Sequence, residues 1–217
     1  MKVGTDGVLL GAWVENNGEK RILDVGTGTG LVALMLAQRF PQAMIKGIDI
    51  EKDAVEEAKE NVELSPWQDR LAAEQVSLQN YANRGEHFDL VVSNPPYFTN
   101  GTQSPSITRH RARHSETLSY TDLAQCSERV LNPGGTLAVI LPAPSRDTFV
   151  EQAKCCDLYL WRILNFRPKP SKEIERVLLQ FGRTQESIRK ENLCQYDEAG
   201  KWSSAYQALT KEYYLNL

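Results

Sequence analysis

The sequence has no apolar run approaching the roughly 20 residues that cross a bilayer as a helix, which excludes a helical membrane protein. It has four cysteines in 217 residues, Cys126, Cys155, Cys156 and Cys194. None is spaced as C-x-x-C, so neither a metal ribbon nor a disulfide framework is expected, and they read as reduced thiols of a cytoplasmic protein. There are only three histidines, without spaced partners, so no metal is expected. Positive charge is not in excess. The 25 Lys and Arg against 28 Asp and Glu leave a net charge of −3, which excludes an overall basic coat for nucleic acid but not a local basic patch. The chain does not open on a basic stretch followed by an apolar one, so no signal peptide is expected. Internal repeats and low-complexity segments are also lacking. What is present is ordinary: 41% hydrophobic and 24% charged residues, the composition of a globular chain able to hold a real core. One domain over residues 1–217 is expected.

Short apolar runs alternate with segments of helical periodicity. Residues 21–25, 44–48, 71–78, 88–93, 136–141, 158–165 and 176–181 read as strands, and residues 31–40, 52–64, 120–131 and 147–156 as helices. Pro133-Gly134-Gly135 reads as a turn. The strands are continuous apolar runs, as buried parallel strands are. The expected class is therefore α/β, a parallel sheet with helices on both faces. Residues 98–119 show no periodicity, and a connection of that length in a compact domain is usually functional. It carries Arg109, Arg111, Arg113 and the histidines His110 and His114.

Asp24-Val25-Gly26-Thr27-Gly28-Thr29-Gly30 falls where the first strand turns into the first periodic helix. Glycines there let the backbone turn sharply and approach a ligand, and the helix start offers free N–H groups to an anion. The second strand ends in Asp49, followed by Ile50. A carboxylate at that point suits the two hydroxyls of a ribose. The plain alternative is a structural glycine turn with a surface aspartate.

After the fourth strand comes Asn94-Pro95-Pro96-Tyr97. Prolines donate no backbone N–H, so they stop the ladder, and Pro96 restricts Pro95 in turn. The result is a rigid turn presenting the Asn94 amide oxygen and the Pro95 carbonyl together, two acceptors for a planar –NH₂ group. Tyr97 offers a flat face on which a base or amide can stack. An amine conjugated to a ring is a poor nucleophile. Holding both its N–H bonds on fixed acceptors favours a more tetrahedral nitrogen and aims the lone pair. No strong general base and no metal are needed for such a transfer. The alternative is a Pro-Pro strand terminator with an Asx-type turn.

Together, the D-x-G-x-G-x-G loop, the acidic strand end and Asn-Pro-Pro-Tyr resemble the class I S-adenosylmethionine-dependent methyltransferases that act on amino groups. Residues 2–13, residues 97–118 and the tail at 208–215 resemble one subgroup, the bacterial tRNA(Val) adenine-N6 methyltransferases. The resemblance implies a Rossmann-like fold with a mostly parallel seven-stranded sheet whose last strand is antiparallel. It implies S-adenosylmethionine as cofactor, held by Thr5, Asp6, Asp24, Gly26, Thr27, Gly28, Gly30, Asp49, Ile50, Ser77, Leu78 and Asn94. For Thr5 and Asp6 the alternative is a helix N-cap. Asn94, Pro95, Pro96 and Tyr97 would carry the reaction. Its implied product is methylation at N6 of an adenine in a tRNA anticodon loop, the purine 3′ of the anticodon in tRNA(Val). Arg109, Arg111, Arg113 and His114, with Arg167, Lys169 and Lys172, would form a basic rim for the tRNA phosphates. Arg162 and Arg176 fall in the same basic stretch. A solvated charge run is the alternative there. A monomer is expected, with residues 185–217 as a C-terminal extension. In that subgroup a short segment usually precedes Lys2, so an internal or trimmed start, and with it a lowered apparent cofactor affinity, is expected here. Two other substrates suit the same acceptor pair: a glutamine side-chain amide in a protein such as a release factor, and an amino group of rRNA or DNA. A binding module without activity is disfavoured by the intact Asn94–Tyr97 set.

Overall fold

The computed structural model describes residues 3–96 and 118–214. Among these it contains eight strands and seven α-helices. The strands are β1 (Arg21–Val25), β2 (Met44–Asp49), β3 (Leu71–Gln75), β4 (Phe88–Ser93), β5 (Leu131–Pro142), β6 (Tyr159–Arg167), β7 (Arg176–Gly182) and β8 (Arg189–Cys194). The helices are α1 (Thr5–Trp13), α2 (Leu31–Arg39), α3 (Lys52–Glu63), α4 (Leu78–Tyr81), α5 (Tyr120–Val130), α6 (Arg146–Lys154) and α7 (Ser204–Thr210).

The strands form one sheet in the order β3-β2-β1-β4-β5-β7-β6-β8. β1 to β5 pair in parallel, β7 is antiparallel to both β5 and β6, and β8 is parallel to β6. The order reverses between β1 and β4, which is where an open α/β sheet leaves a crevice at the carboxyl ends of its strands. Alternate residues feed two cores. Ile22, Ile45, Leu90, Ala138 and Ile140 pack on one face with Leu9, Leu10 and Trp13 of α1, Val32 and Leu36 of α2 and Tyr206 of α7. Leu23, Ile48, Val91, Leu137, Val139 and Leu179 pack on the other with Leu123 of α5 and Phe149 of α6. This double burial is why the strands lack polar alternation.

Three expectations need correction. The third strand stops at Gln75, because Ser77 caps α4: its side chain accepts from the Asn80 N–H. Pro133-Gly134-Gly135 does not separate α5 from a later strand. β5 begins at Leu131, and five residues along it span two along β4 (Phe88 opposite Leu131, Leu90 opposite Thr136), with Gly134 at φ 81°. The turn signal marks a bulge. The sheet has eight strands instead of seven. β8 reads Arg-Lys-Glu-Asn-Leu-Cys and is largely exposed, as an edge strand is, so it shows no apolar run to detect. Residues 5–13 add a helix to those expected. With seven of its nine residues buried, α1 is apolar on every side and has no amphipathic stripe. Among the described residues no helix is long and apolar enough to cross a membrane.

Candidate active site

The glycine loop leaves β1 at the switch point. Gly26 and Thr27 donate backbone N–H bonds to the Ile48 carbonyl at 2.9 and 3.0 Å, which ties the loop to the end of β2. Gly26 and Gly28 have φ of 69° and 54°, and nothing lies within 4 Å of where a Cβ would stand on either. A side chain there would be strained and would fill the open space above the loop. Gly30, at φ 87°, is the N-cap of α2.

Two carboxylates organise this loop differently. Asp49, half-buried at the end of β2, accepts the Gly28 N–H at 2.8 Å on Oδ2 and the Glu51 N–H at 3.0 Å on Oδ1. Each oxygen keeps a further lone pair for an incoming hydroxyl. Asp24 is 1% exposed. Its Oδ2 accepts the Thr27 hydroxyl at 2.7 Å and the Ala33 N–H in the first turn of α2 at 3.1 Å. Burial pushes its carboxyl up to about 7, against the pull of those two hydrogen bonds, and the charge of Asp49 pushes the same way as burial. Both Asp24 and Thr27 therefore have their side chains engaged in building the loop.

Three supporting residues were not singled out in the sequence. Gly47 leaves room for Thr27, whose Oγ1 would stand 2.7 Å from a Cβ there. Asn61 on α3 donates to the Thr29 carbonyl at 2.9 Å. Ser93, fully buried, donates its hydroxyl to the Val25 carbonyl at 2.8 Å and pairs with Val25 in register. Only the alternation signal marked Ser93, as a polar residue closing an apolar run.

That Ser93 bond locks the end of β4 to the end of β1, so Asn94 leaves the sheet directly beside the start of the glycine loop. Asn94 is half-buried, Pro95 buried and Pro96 exposed. Tyr97, Arg109, Arg111, Arg113 and His114 lie outside the described residues, as does the 98–119 connection up to residue 117.

The remaining predicted residues divide. Ile50 is half-buried after Asp49 and accepts the Gln75 side-chain amide at 3.1 Å through its carbonyl. Ser77 and Leu78 follow β3 on the Asp49 side, but the Ser77 side chain is used as a cap and Leu78 is buried in the core. Thr5 opens α1, but Gly4 is the N-cap. Asp6 accepts Arg176 Nε at 3.0 Å. Arg167, Lys169 and Lys172 lie on or after the last residue of β6, where Phe166 pairs with Arg176 and Arg176 with Pro142. Ser93 is level with Val139, so this connection stands on the Asn94 side, roughly 10 Å beyond the end of β4. Arg167 is half-buried and the two lysines are exposed.

Arg162 leaves the rim altogether. It sits near the start of β6, stacked on Trp13 at 4.2 Å from the ring centroid. Its Nε and Nη2 donate to Glu191 at 2.6 and 2.9 Å, and its Nη1 to the Trp13 carbonyl at 3.1 Å. β6 runs in the same direction as β5, because β7 is antiparallel to both, so Arg162, the fourth residue of β6, stands toward the amino edge of the sheet. A cleft of about 640 Å³ opens there, lined by Arg162, Lys20, Asp89, Thr136, Gln180 and Arg189 among others. Several of its charged groups are engaged with one another. Arg162 and Arg189 both pair with Glu15 and Glu191, and Asp89 accepts the N–H groups of Lys20 and Arg21 and the side chain of Asn132. Among the described residues no group of three or more His, Cys, Asp and Glu side chains is placed to hold a metal ion.

The carboxyl-edge residues fit S-adenosylmethionine: two left-handed glycines over open space for its methionine end, and a strand-end carboxylate for its ribose. The methyltransferase small domain family matches residues 3–146. The chain is 43% identical over 217 residues to the tRNA1(Val) (adenine(37)-N6)-methyltransferase of Phocaeicola vulgatus, covering 100% of this chain and 92% of that one. It is 39% identical over 218 residues to the protein of the same name from Tolumonas auensis, covering 100% and 91%. Among solved structures, a predicted O-methyltransferase from Agrobacterium tumefaciens superposes with a TM-score of 0.74 at 19% identity, over 95% of this chain and 96% of that one, a likeness of fold alone. The chain therefore belongs to the methyltransferase small domain family, where it stands with the proteins named tRNA1(Val) (adenine(37)-N6)-methyltransferase.

Proposed function

We propose that this protein is a cytoplasmic enzyme that methylates N6 of adenine 37 in tRNA1(Val), the purine 3′ of the anticodon. The observation that carries the reading is the placement of Asn94 and Pro95 at the end of β4, fixed by the Ser93 bond to Val25 against the glycine loop. The relatives' names supply the target base and the tRNA. S-adenosylmethionine supplies an electrophilic methyl group.

The chain's own part is to bind and aim. Gly26, Gly28 and Gly30 border the methionine end of the cofactor with Thr5, Asp6 and Thr27, Asp49 holds the ribose, and Ile50, Ser77 and Leu78 border the base. Asp24 shapes the loop from below. The Asn94 side-chain oxygen and the Pro95 carbonyl accept the two hydrogens of the target –NH₂. So held, the nitrogen would aim its lone pair at the methyl group the cofactor would supply; as the N–C bond formed, the methyl carbon's bond to sulfur would break to leave a neutral thioether, and the nitrogen would release a proton to water. Tyr97 is assigned the stacking face for the extruded base from its place in the chain. Arg167, Lys169 and Lys172, with Arg109, Arg111, Arg113 and His114, are assigned to the RNA backbone. The whole chain acts as one domain, its residues 98–119 serving the substrate and 185–217 forming an extension that supplies β8 and α7.

The test is transfer of a labelled methyl group to bulk tRNA, with a release factor as the competing acceptor, followed by mass-spectrometric mapping of the nucleoside. Label in N6-methyladenosine next to the anticodon is expected, and label confined to the release factor overturns the reading. Asn94→Ala is expected to lower turnover by about 10²–10³-fold, as loss of one preorganised hydrogen-bonding group does, while cofactor affinity changes by less than about tenfold. Full turnover by that variant overturns the mechanism.

A further inference from the structure

The first turn of α1 is wedged between the two sides of the crevice. On the cofactor side, Gly7 lies against Leu31, the residue that follows the glycine loop: a Cβ on Gly7 would stand 3.0 Å from Leu31 Cδ2. On the other side, Asp6 Oδ2 accepts Arg176 Nε at 3.0 Å. Arg176 opens β7 opposite Pro142, the last residue of β5. The two side chains are 27% and 19% exposed for Arg176 and Asp6, so solvent screens this pair less than a surface one. The N-cap is Gly4, which has no side chain to satisfy the first N–H groups of the helix; its carbonyl accepts the Val8 N–H at 3.3 Å. Residues 7–13 of α1 are buried and held by the core, whereas Thr5 and Asp6 are not.

We propose, on the reading of the site given above, that Asp6 and Arg176 are a positioning pair that clamps the first turn of α1 across the crevice and so holds the exit of the glycine loop in its cofactor-binding geometry. The geometry suits arginine in particular. Nε is spent on Asp6 while Nη1 donates to the Glu175 carbonyl at 3.0 Å, so the planar fork orients the pair against the start of β7. Release of the pair frees the first turn without exposing the apolar remainder of α1. The effect falls on the neighbouring loop more than on the global fold.

A double-mutant cycle tests this with Asp6→Asn, Arg176→Gln and the double variant. Affinity for S-adenosylhomocysteine is measured by calorimetry, stability by urea unfolding, and amide exchange of the cofactor-free proteins over residues 5–9 and 28–33. Each single variant is expected to weaken binding about tenfold, to speed exchange in both segments, and to leave the urea midpoint nearly unchanged. The double variant is expected to be no weaker than either single one. Singles within twofold of the parent overturn the proposal. So do additive losses, which would mean that Asp6 acts on the cofactor independently of Arg176. If the parent protein itself binds no cofactor, the reading of the site fails, and the exchange of residues 5–9 and 28–33 still decides the clamp.

Discussion

The two edges of the sheet are built on opposite principles. At the amino edge a cleft is bordered by groups that satisfy one another: Arg162 between Trp13, Glu15 and Glu191, and Asp89 capped by Lys20, Arg21 and Asn132. At the carboxyl edge the backbone adopts left-handed conformations over open space, a carboxyl group is buried beneath the loop, and Asn94 stands half-buried at a strand end. Left-handed glycines over open space occur at both edges, so unspent hydrogen-bonding capacity, at Asp49 and Asn94, is what favours the carboxyl edge, because a closed network has little left to offer a ligand.

Substitutions can set the two edges against each other. The largest effect is expected from Gly28→Val. A branched side chain at φ 54° adds strain and occupies the open space, so cofactor affinity should fall by about a hundredfold, the equivalent of the roughly 3 kcal/mol that such strain can reach. Calorimetry measures it, and retained affinity would mean that the loop is not the cofactor's cradle. At the amino edge, Arg162→Met removes two of the hydrogen bonds to Glu191, which keeps Arg189 and Trp13 as partners. Urea unfolding should register a loss of about 1–2 kcal/mol, while turnover of the remaining folded enzyme stays within twofold. A fall in turnover without loss of stability would join the two edges that the structure separates.

The most gradual effect is a pH slope. The Asp24 carboxyl lies above its ordinary value because burial disfavours its charge. Between about pH 4 and 7 the folded protein thus holds a proton that the unfolded chain has released. Asp24 accordingly lowers stability as pH rises through that window, by no more than about 1.4 kcal/mol per pH step. In Asp24→Asn, whose amide oxygen can still accept from Thr27 and Ala33, this contribution is absent. The unfolding free energy of the variant relative to the parent should therefore climb from pH 4 to 7 and level off above. A difference independent of pH would show that Asp24 is charged in the folded protein throughout.

Much of the architecture was legible because local pattern and buried position coincide. β1 and β4 fall on the apolar runs 21–25 and 88–93, and α2 on the periodic segment that ends before Pro41. Where local pattern and tertiary role part, the reading slipped. β8 is polar because it lies at an edge, and α1 is apolar all round because it is packed on α2 and beneath the tail. In the site, glycines and prolines announced themselves through backbone constraints that act over three or four residues. Ser93, Gly47 and Asn61 did not, since each acts on a residue 68, 20 or 32 positions away.

By itself, the sequence determined the alternation of strand and helix, the sharp turn at Gly26–Gly30, the rigid Asn94-Pro95-Pro96 exit and the carboxylate at Asp49. These follow from hydrophobic periodicity and from the stereochemistry of single residues. Only the tertiary structure decided which charges meet. It drew Arg162 out of the basic stretch and onto Trp13, and it paired Arg176 with Asp6 across 170 residues of chain. Arg167, Lys169 and Lys172 stayed on the Asn94 side of the sheet. Ion pairs form through space, and strand alternation and register set the space that sequence distance does not.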